Sequence, residues 1–506
     1  MKRNFASLHS VMKPYHYFFF ALLVCLGTFQ ACKKDRFITD SSANISVSQD
    51  TILFDTVFTT IGSVTKNFRI YNNENENIRI SSIELEGNSN SEYRMNVDGI
   101  AGDRFTDLEL APGDSMWVFV EVTIDPNAAN LPFIVEDRIR IEVNTNETFV
   151  ELVSWGQNAI FHGGQGGELF VLPANEVWNA DLPHVIYGIV AVDEGNSLTI
   201  NAGTEVYCHQ GSGIYVFRGT LNVNGTCDNK VTFCGDRLEP EYQDLPGQWG
   251  IELTFEFESD LGVQEATVAR GGIWLFENEG STIDHAIIKN GNIGVQVDTL
   301  SNPSADALRI TNTEIDNMSI YGLLCQGSNV SGANNLFSNC GQSCGAYSFG
   351  GRYQFEYCTY ANYWSDGTRQ TPSFFLNNYY LDVENNLQVR TLNDTWFYNC
   401  IMYGNNASLN EFSEFVVDIQ DEDFQDYEFQ YCGVDTEASV ADGTRYNFMV
   451  NGVNPPFTNG GGGDFHLVNP TNQWNAGFVT GTFPPAQDIN CAPRFLPGLK
   501  GCFEGQ

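Results

Sequence analysis

The 506-residue chain carries 25 Lys and Arg against 63 Asp and Glu, a formal net charge of −38. A surface this acidic repels nucleic acid and phosphate-rich lipid, so nucleic acid is excluded as a partner, while cation binding and solubility in salt remain compatible with it. With 42% hydrophobic residues the chain can bury a large core, and its length implies two or three domains.

At the start, Lys2, Arg3 and Lys13 precede an apolar run from Phe18 to Phe29, and small Ala31 stands just before Cys32. About 12 apolar residues are too few to span a bilayer, so residues 1–31 read as a secretory leader. Ala31-Cys32 resembles a bacterial lipobox, and the looser Phe29 and Gln30 are similar to lipoproteins of the Bacteroidetes type. That resemblance implies diacylation of Cys32, a tether over residues 32–45, and a lipid anchor in the outer membrane, facing the periplasm or the cell surface.

Residues 46–160 alternate apolar and polar positions in short runs: Thr51-Ile-Leu-Phe-Asp55, Asn67-Phe-Arg-Ile-Tyr71, Asn77-Ile-Arg-Ile-Ser81, Met116 to Thr123 and Arg138 to Val143. Asn, Gly and Pro fall between them. Seven or so short antiparallel strands in this pattern predict an immunoglobulin-like sandwich. The phrases Gly62-Ser-Val, Ile70-Tyr-Asn-Asn, Leu110-Ala-Pro-Gly-Asp-Ser and Val122-Thr-Ile-Asp-Pro126 make it similar to immunoglobulin-like domains of the ASH kind, mostly spacers or binding modules. The glycine cluster Gly163 to Gly167 is expected to end the sandwich.

Within residues 165–505, a short phrase recurs from Ile283 to Cys432. Ile283-Asp284-His285-Ala286, Ile310-Thr311-Asn312-Thr313 and Phe337-Ser338-Asn339-Cys340 are evenly spaced, and Phe355 to Cys358, Phe397 to Cys400 and Phe429 to Cys432 keep the form. A repeat of this length means a solenoid whose units depend on stacked neighbours. The intervening segments are short, β-branched and cut by Gly and Asn, which leaves no room for helices. The third residue of each phrase is often Asn, which tolerates the left-handed conformation that bends one strand into the next. Apolar residues on both sides of the bend can then face one interior. The segment resembles the pectin-lyase-like superfamily, which implies a right-handed parallel β-helix with like residues stacked about 4.8 Å apart. The predicted fold is thus all-β, a sandwich followed by this solenoid.

Near the end, Asp488-Ile-Asn-Cys-Ala-Pro-Arg494 and Pro497-Gly-Leu-Lys-Gly-Cys-Phe-Glu504 resemble the closing segment of secreted β-helix proteins, where Gly and Ala are usual in place of Cys491 and Cys502. The joint departure from that pattern suggests a Cys491–Cys502 disulfide, which an extracytoplasmic location permits. Cys340, Cys358, Cys400 and Cys432 are expected at equivalent points of the coil, either as a buried column of thiols or as disulfides between rungs.

The resemblance implies that a lyase would need a basic residue facing a calcium–carboxylate cluster, and a hydrolase paired acids with supporting His and Lys phrases. Neither constellation is present in recognisable form. Binding has two candidate sites. Asp421, Glu422, Asp423 and Asp426 crowd a short loop that either holds Ca²⁺ through oxygen ligands or is simply solvated. Tyr363, Trp364, Phe375, Tyr379 and Tyr380 lie in the most aromatic turn and would form a stacking platform if exposed on one face. The expectation is a non-enzymatic envelope lipoprotein that binds glycan or a protein partner. The alternatives are a polysaccharide lyase or glycoside hydrolase with an unrecognised site, and a purely structural surface protein.

Overall fold

A computed structural model describes residues 36–126, 132–163, 169–259, 262–299, 304–405, 413–479, 485–495 and 498–504. The expected leader, Cys32, the Lys33-Lys34-Asp35 segment and most of the 163–167 glycine cluster lie outside these residues.

Two five-stranded sheets make the first unit. One orders Ile45–Val47, Lys66–Asn72, Ser115–Val122, Tyr93–Val97 and Ile100–Ala101, and the other Thr51–Phe58, Asn146–Gln157, Phe133–Val143, Ile78–Leu85 and Arg104–Leu110. Period-two alternation decides which side chains meet between them. Along Ser115–Val122, Met116, Val118, Val120 and Val122 are buried, while Trp117 and Phe119 point outward. Ile80, Ile83, Leu85, Ile139 and Ile141 supply buried side chains from the second sheet.

The second unit is a parallel β-helix. It starts at Ile160, upstream of the expected boundary at residue 165, because strand Ile160–Gly163 pairs in parallel with His184–Tyr187. Among the described residues an eleven-stranded and a seventeen-stranded sheet run the length of the coil.

The bend between the sheets is the predicted one. His285, Asn312, Tyr357, Asn399 and Tyr431 all adopt positive φ, between 50° and 56°. The residues flanking the bend, such as Phe355 with Cys358 and Phe397 with Cys400, are fully buried. A left-handed residue thus resets the alternation, so that positions three apart both face inward.

One phrase lies at a different bend from the one its spacing suggests. Ile310 pairs with Gly332, not with Phe337, and Gly332 pairs in turn with Phe355. Phe337-Ser338-Asn339-Cys340 belongs to a second bend slightly further along the chain, where Ile315 pairs with Phe337 and Phe337 with Tyr360. The turn from Ile310 to Gly332 is shorter than the one from Ile283 to Ile310, and the offset from Gly332 to Phe337 makes up the difference. The even spacing of the phrases was therefore accidental. The column at the first bend reads His285, Asn312, Asn334, Tyr357, Asn399, Tyr431. Its amides stack: Asn312 Nδ2 donates to Asp284 Oδ1 at 2.8 Å, and Asn334 Nδ2 to Asn312 Oδ1 at 2.8 Å.

Cys358, Cys400 and Cys432 do form a buried column of free thiols, and Cys340 stands apart from it at the second bend. Beside that column Phe355, Phe397, Phe429 and Tyr446 stack on successive turns, with ring planes within 12° and centroids 5.1 to 5.7 Å apart. Offset stacking at this spacing adds to the burial of each ring.

The C-terminal segment folds back along the first bend. Gly501 N donates to Asn399 O, Arg494 Nη2 to Asn334 Oδ1, and the Arg494 guanidinium lies 4.5 Å from the Tyr357 ring centroid. The disulfide here is Cys227–Cys491; the expected Cys491–Cys502 bond is absent, and Cys502 is a buried free thiol. Cys502 N instead donates to Thr359 Oγ1, which places that residue against the coil. Cys227 could not be anticipated as the partner, because it is so distant in sequence, with a separation of 264.

Candidate functional site: an aromatic face on the large sheet

The outer side of the seventeen-stranded sheet carries a pattern set by the phrase Gly–aliphatic–x–aliphatic–x. Gly213-Ile-Tyr-Val-Phe217 pairs with Gly272-Ile-Trp-Leu-Phe276, and the next turn is Gly294-Val-Gln-Val-Asp298. Ile214, Val216, Ile273, Leu275, Val295 and Val297 are buried within the coil. Alternation therefore sends Tyr215, Phe217, Trp274, Phe276, Gln296 and Asp298 to the outside. The glycines are required for packing: a Cβ on Gly213 would stand 2.4 Å from Gly272 O, and one on Gly272 2.2 Å from the Trp249 ring.

The four rings form a two-by-two array. Tyr215 and Trp274 have centroids 4.7 Å apart, Phe217 and Phe276 6.1 Å, Tyr215 and Phe217 6.3 Å, and Trp274 and Phe276 5.9 Å. All four are partly exposed. Trp274 is held in place by the next turn, since its Nε1 donates to Asp298 Oδ2 at 2.9 Å, and the same oxygen accepts from Gln296 Nε2 at 2.7 Å. Gln296 Oε1 in turn accepts from Gly271 N at 2.8 Å. Asp298 is 8% exposed, and its Oδ1 is buried without a hydrogen-bond partner among the described residues. Burial pushes its carboxyl pKa up, against the two hydrogen bonds and the charge of Arg270, whose guanidinium lies 5.5 Å from the Trp274 ring centroid. Chemically this is an apolar platform whose Trp274 is held by a buried carboxylate.

The five aromatic residues expected to form a platform are not brought together. Phe375 is on this same outer face, in the column Tyr215, Trp274, Gln296, Leu324, Ala346, Phe375, four rungs beyond Trp274. Tyr363 packs into the C-terminal cap against Phe465 and Phe457, at 5.8 and 6.3 Å. Trp364 sits at the second bend close to Gly341. Tyr379 bonds to Asp418, and Tyr380 lies on Phe349 at 4.8 Å with Arg390 beside it. Consecutive aromatics in an irregular turn alternate between faces, so sequence proximity did not translate into a common surface. The signal for the observed array was present in sequence, as the repeat of Gly-Ile-aromatic-aliphatic-Phe.

The acidic loop does not converge either. Glu422 pairs with Arg445 at 2.9 Å, Asp426 Oδ2 accepts from Asp394 N, and Asp421 has left-handed backbone. Among the described residues the one group of three or more Cys, His, Asp or Glu with ligand atoms within 4.8 Å of one another is Cys227, His285 and Cys491. A further pair escaped sequence reasoning: buried His162 and His184 hydrogen-bond at 2.8 Å and stack on Trp178.

No family model matches the sequence, and no curated protein matches it. Solved structures with partial likeness include the E. coli chaperone DraB, at 9% identity, covering 24% of this chain and 55% of that one, with a TM-score of 0.17. A family 123 glycoside hydrolase from Clostridium perfringens is 10% identical over 27% of this chain and 30% of that one, at 0.18. The ASH/PapD-like domain 7 of human CEP192 is 10% identical over 26% of this chain and 96% of that one, at 0.16. The chain thus spans about half or less of the first two, and its folds are defined by its own strand pairings.

Proposed function

We propose that this is a cell-envelope lipoprotein, acylated at Cys32, whose β-helix binds an extended neutral glycan across the Tyr215–Trp274 face without chemically altering it. The observation that carries the reading is the two-by-two aromatic array with Trp274 pinned by Asp298. A ring already fixed by a hydrogen bond loses little entropy when a sugar stacks on it. The net charge of −38 disfavours polyanionic glycans and anionic partners. The sandwich is a spacer in this reading, as the resemblance to ASH-like domains suggests.

The test is a glycan array followed by calorimetry on residues 33–506, with Trp274→Ala compared with wild type. A loss of about 1 to 3 kcal/mol in binding, the range of an interface hot spot, with an unchanged thermal midpoint is the expected result. Release of new reducing ends or unsaturated products from the bound glycan would instead favour the enzymatic alternative. Unchanged affinity in Trp274→Ala would remove this face from consideration.

A further inference from the structure

Cys227 lies in the loop between strands Thr220–Asn224 and Val231–Gly235, and Cys491 in the C-terminal segment; the two meet over His285. His285 Nε2 is 3.5 Å from Cys227 Sγ and 3.6 Å from Cys491 Sγ. In a tetrahedral zinc site, with bonds of about 2.3 Å to sulfur and about 2.0–2.1 Å to nitrogen, the nitrogen–sulfur edge is about 3.5 Å. The imidazole is therefore already placed, and only the two sulfurs need to separate.

His285 Nδ1 stands 3.0 Å from Asp284 Oδ1, and that carboxylate is itself held by Thr311 Oγ1 at 2.7 Å and Asn312 Nδ2 at 2.8 Å. The pair is close, but Nδ1 makes no hydrogen bond among the described residues, so the contact is one of charge proximity. Cys227 is exposed and the other two are partly so, which leaves the group reachable by ions and by thiol reagents.

We propose that the reduced form of Cys227 and Cys491 binds a Zn²⁺-class cation together with His285, so that disulfide and metal are alternative fasteners of the same C-terminal strap. The step balances with an external dithiol as donor. The donor's two thiols become its disulfide, and two electrons and two protons pass to Cys227 and Cys491. The cation then displaces both protons, takes two thiolates and one neutral imidazole, and keeps water in its fourth position.

The experiment titrates Co²⁺, as a spectroscopic stand-in, into the phosphine-reduced full chain, with Zn²⁺ as competitor. The expected result is thiolate-to-cobalt charge-transfer absorption saturating at one equivalent, reversed by Zn²⁺, and missing in the oxidised protein. His285→Asn should abolish it without disturbing the bend, because Asn312 and Asn334 occupy the same position in the next two turns. Resistance of Cys400 and Cys432 to alkylation reports that the coil stays folded after reduction. Absence of absorption in reduced, folded wild type, or its persistence in Cys227→Ser/Cys491→Ser, would overturn the proposal.

Discussion

Acidification from pH 7 to pH 5 should loosen the first turns of the coil through His162 and His184. His184 Nε2 lies 3.3 Å from Asn179 O, so that nitrogen carries the proton and Nδ1 accepts from His162 Nε2–H at 2.8 Å. Both rings are neutral in this arrangement. Burial, aided for His162 by the charge of His184, lowers each pKa to about 4, whereas a histidine in the unfolded chain titrates near about 6.5. Between these values the unfolded state binds more protons. The stabilisation is therefore complete above about pH 6.5 and lost as the pH falls toward 4. At pH 5 the loss is roughly 2 kcal/mol per ring, or about 4 kcal/mol for the pair, with no large solvent discount because the residues are only 7% and 3% exposed. Half-buried Glu356, whose carboxyl is pushed up to about 7 by desolvation, acts with the opposite sign, so the readout must be a comparison. Hydrogen exchange of the Ile160–Gly163 and His184–Tyr187 amides should lose about 4 kcal/mol of protection in wild type between pH 7 and 5, and much less in His162→Gln/His184→Gln. Superimposable pH profiles for the two proteins would refute the reasoning.

Phe397→Ala should leave a cavity between Phe355 and Phe429 and cost about 3 to 5 kcal/mol in urea unfolding; a loss under about 1 kcal/mol would be inconsistent with its burial. Glu414→Gln should destabilise by about 3 to 5 kcal/mol, because it leaves the Arg369 guanidinium charged in a site where both side chains are at most 5% exposed. Calorimetric melting at neutral pH would check this, and a neutral outcome would contradict it. Cys32→Ser should release the protein from the membrane fraction and end palmitate labelling, with continued labelling as the contrary result.

The solenoid was legible because its determinants are local. A left-handed residue between two inward positions is a property of four consecutive residues, and it predicted the bends at His285, Asn312, Tyr357, Asn399 and Tyr431. The alternating strands of the sandwich were legible for the same reason, as in Met116 to Val122. Register was not. Turns of unequal length coexist, from Ile283 to Ile310, from Ile310 to Gly332 and from Phe355 to Phe397, and a phrase at a second bend mimicked the first until strand pairing placed Phe337 opposite Ile315. The aromatic face was half legible, since Gly-Ile-Tyr-Val-Phe and Gly-Ile-Trp-Leu-Phe are plainly alike, but adjacency of Tyr215 and Trp274 requires that the whole stretch between them close into one turn around the hairpin of Glu252–Ser259 and Gly262–Ala269. The disulfide was decided by tertiary structure alone. Alternation and bends are set by neighbours along the chain, whereas the meeting of Cys227, His285 and Cys491 depends on how many turns the chain completes before its end folds back, and no local pattern encodes that number.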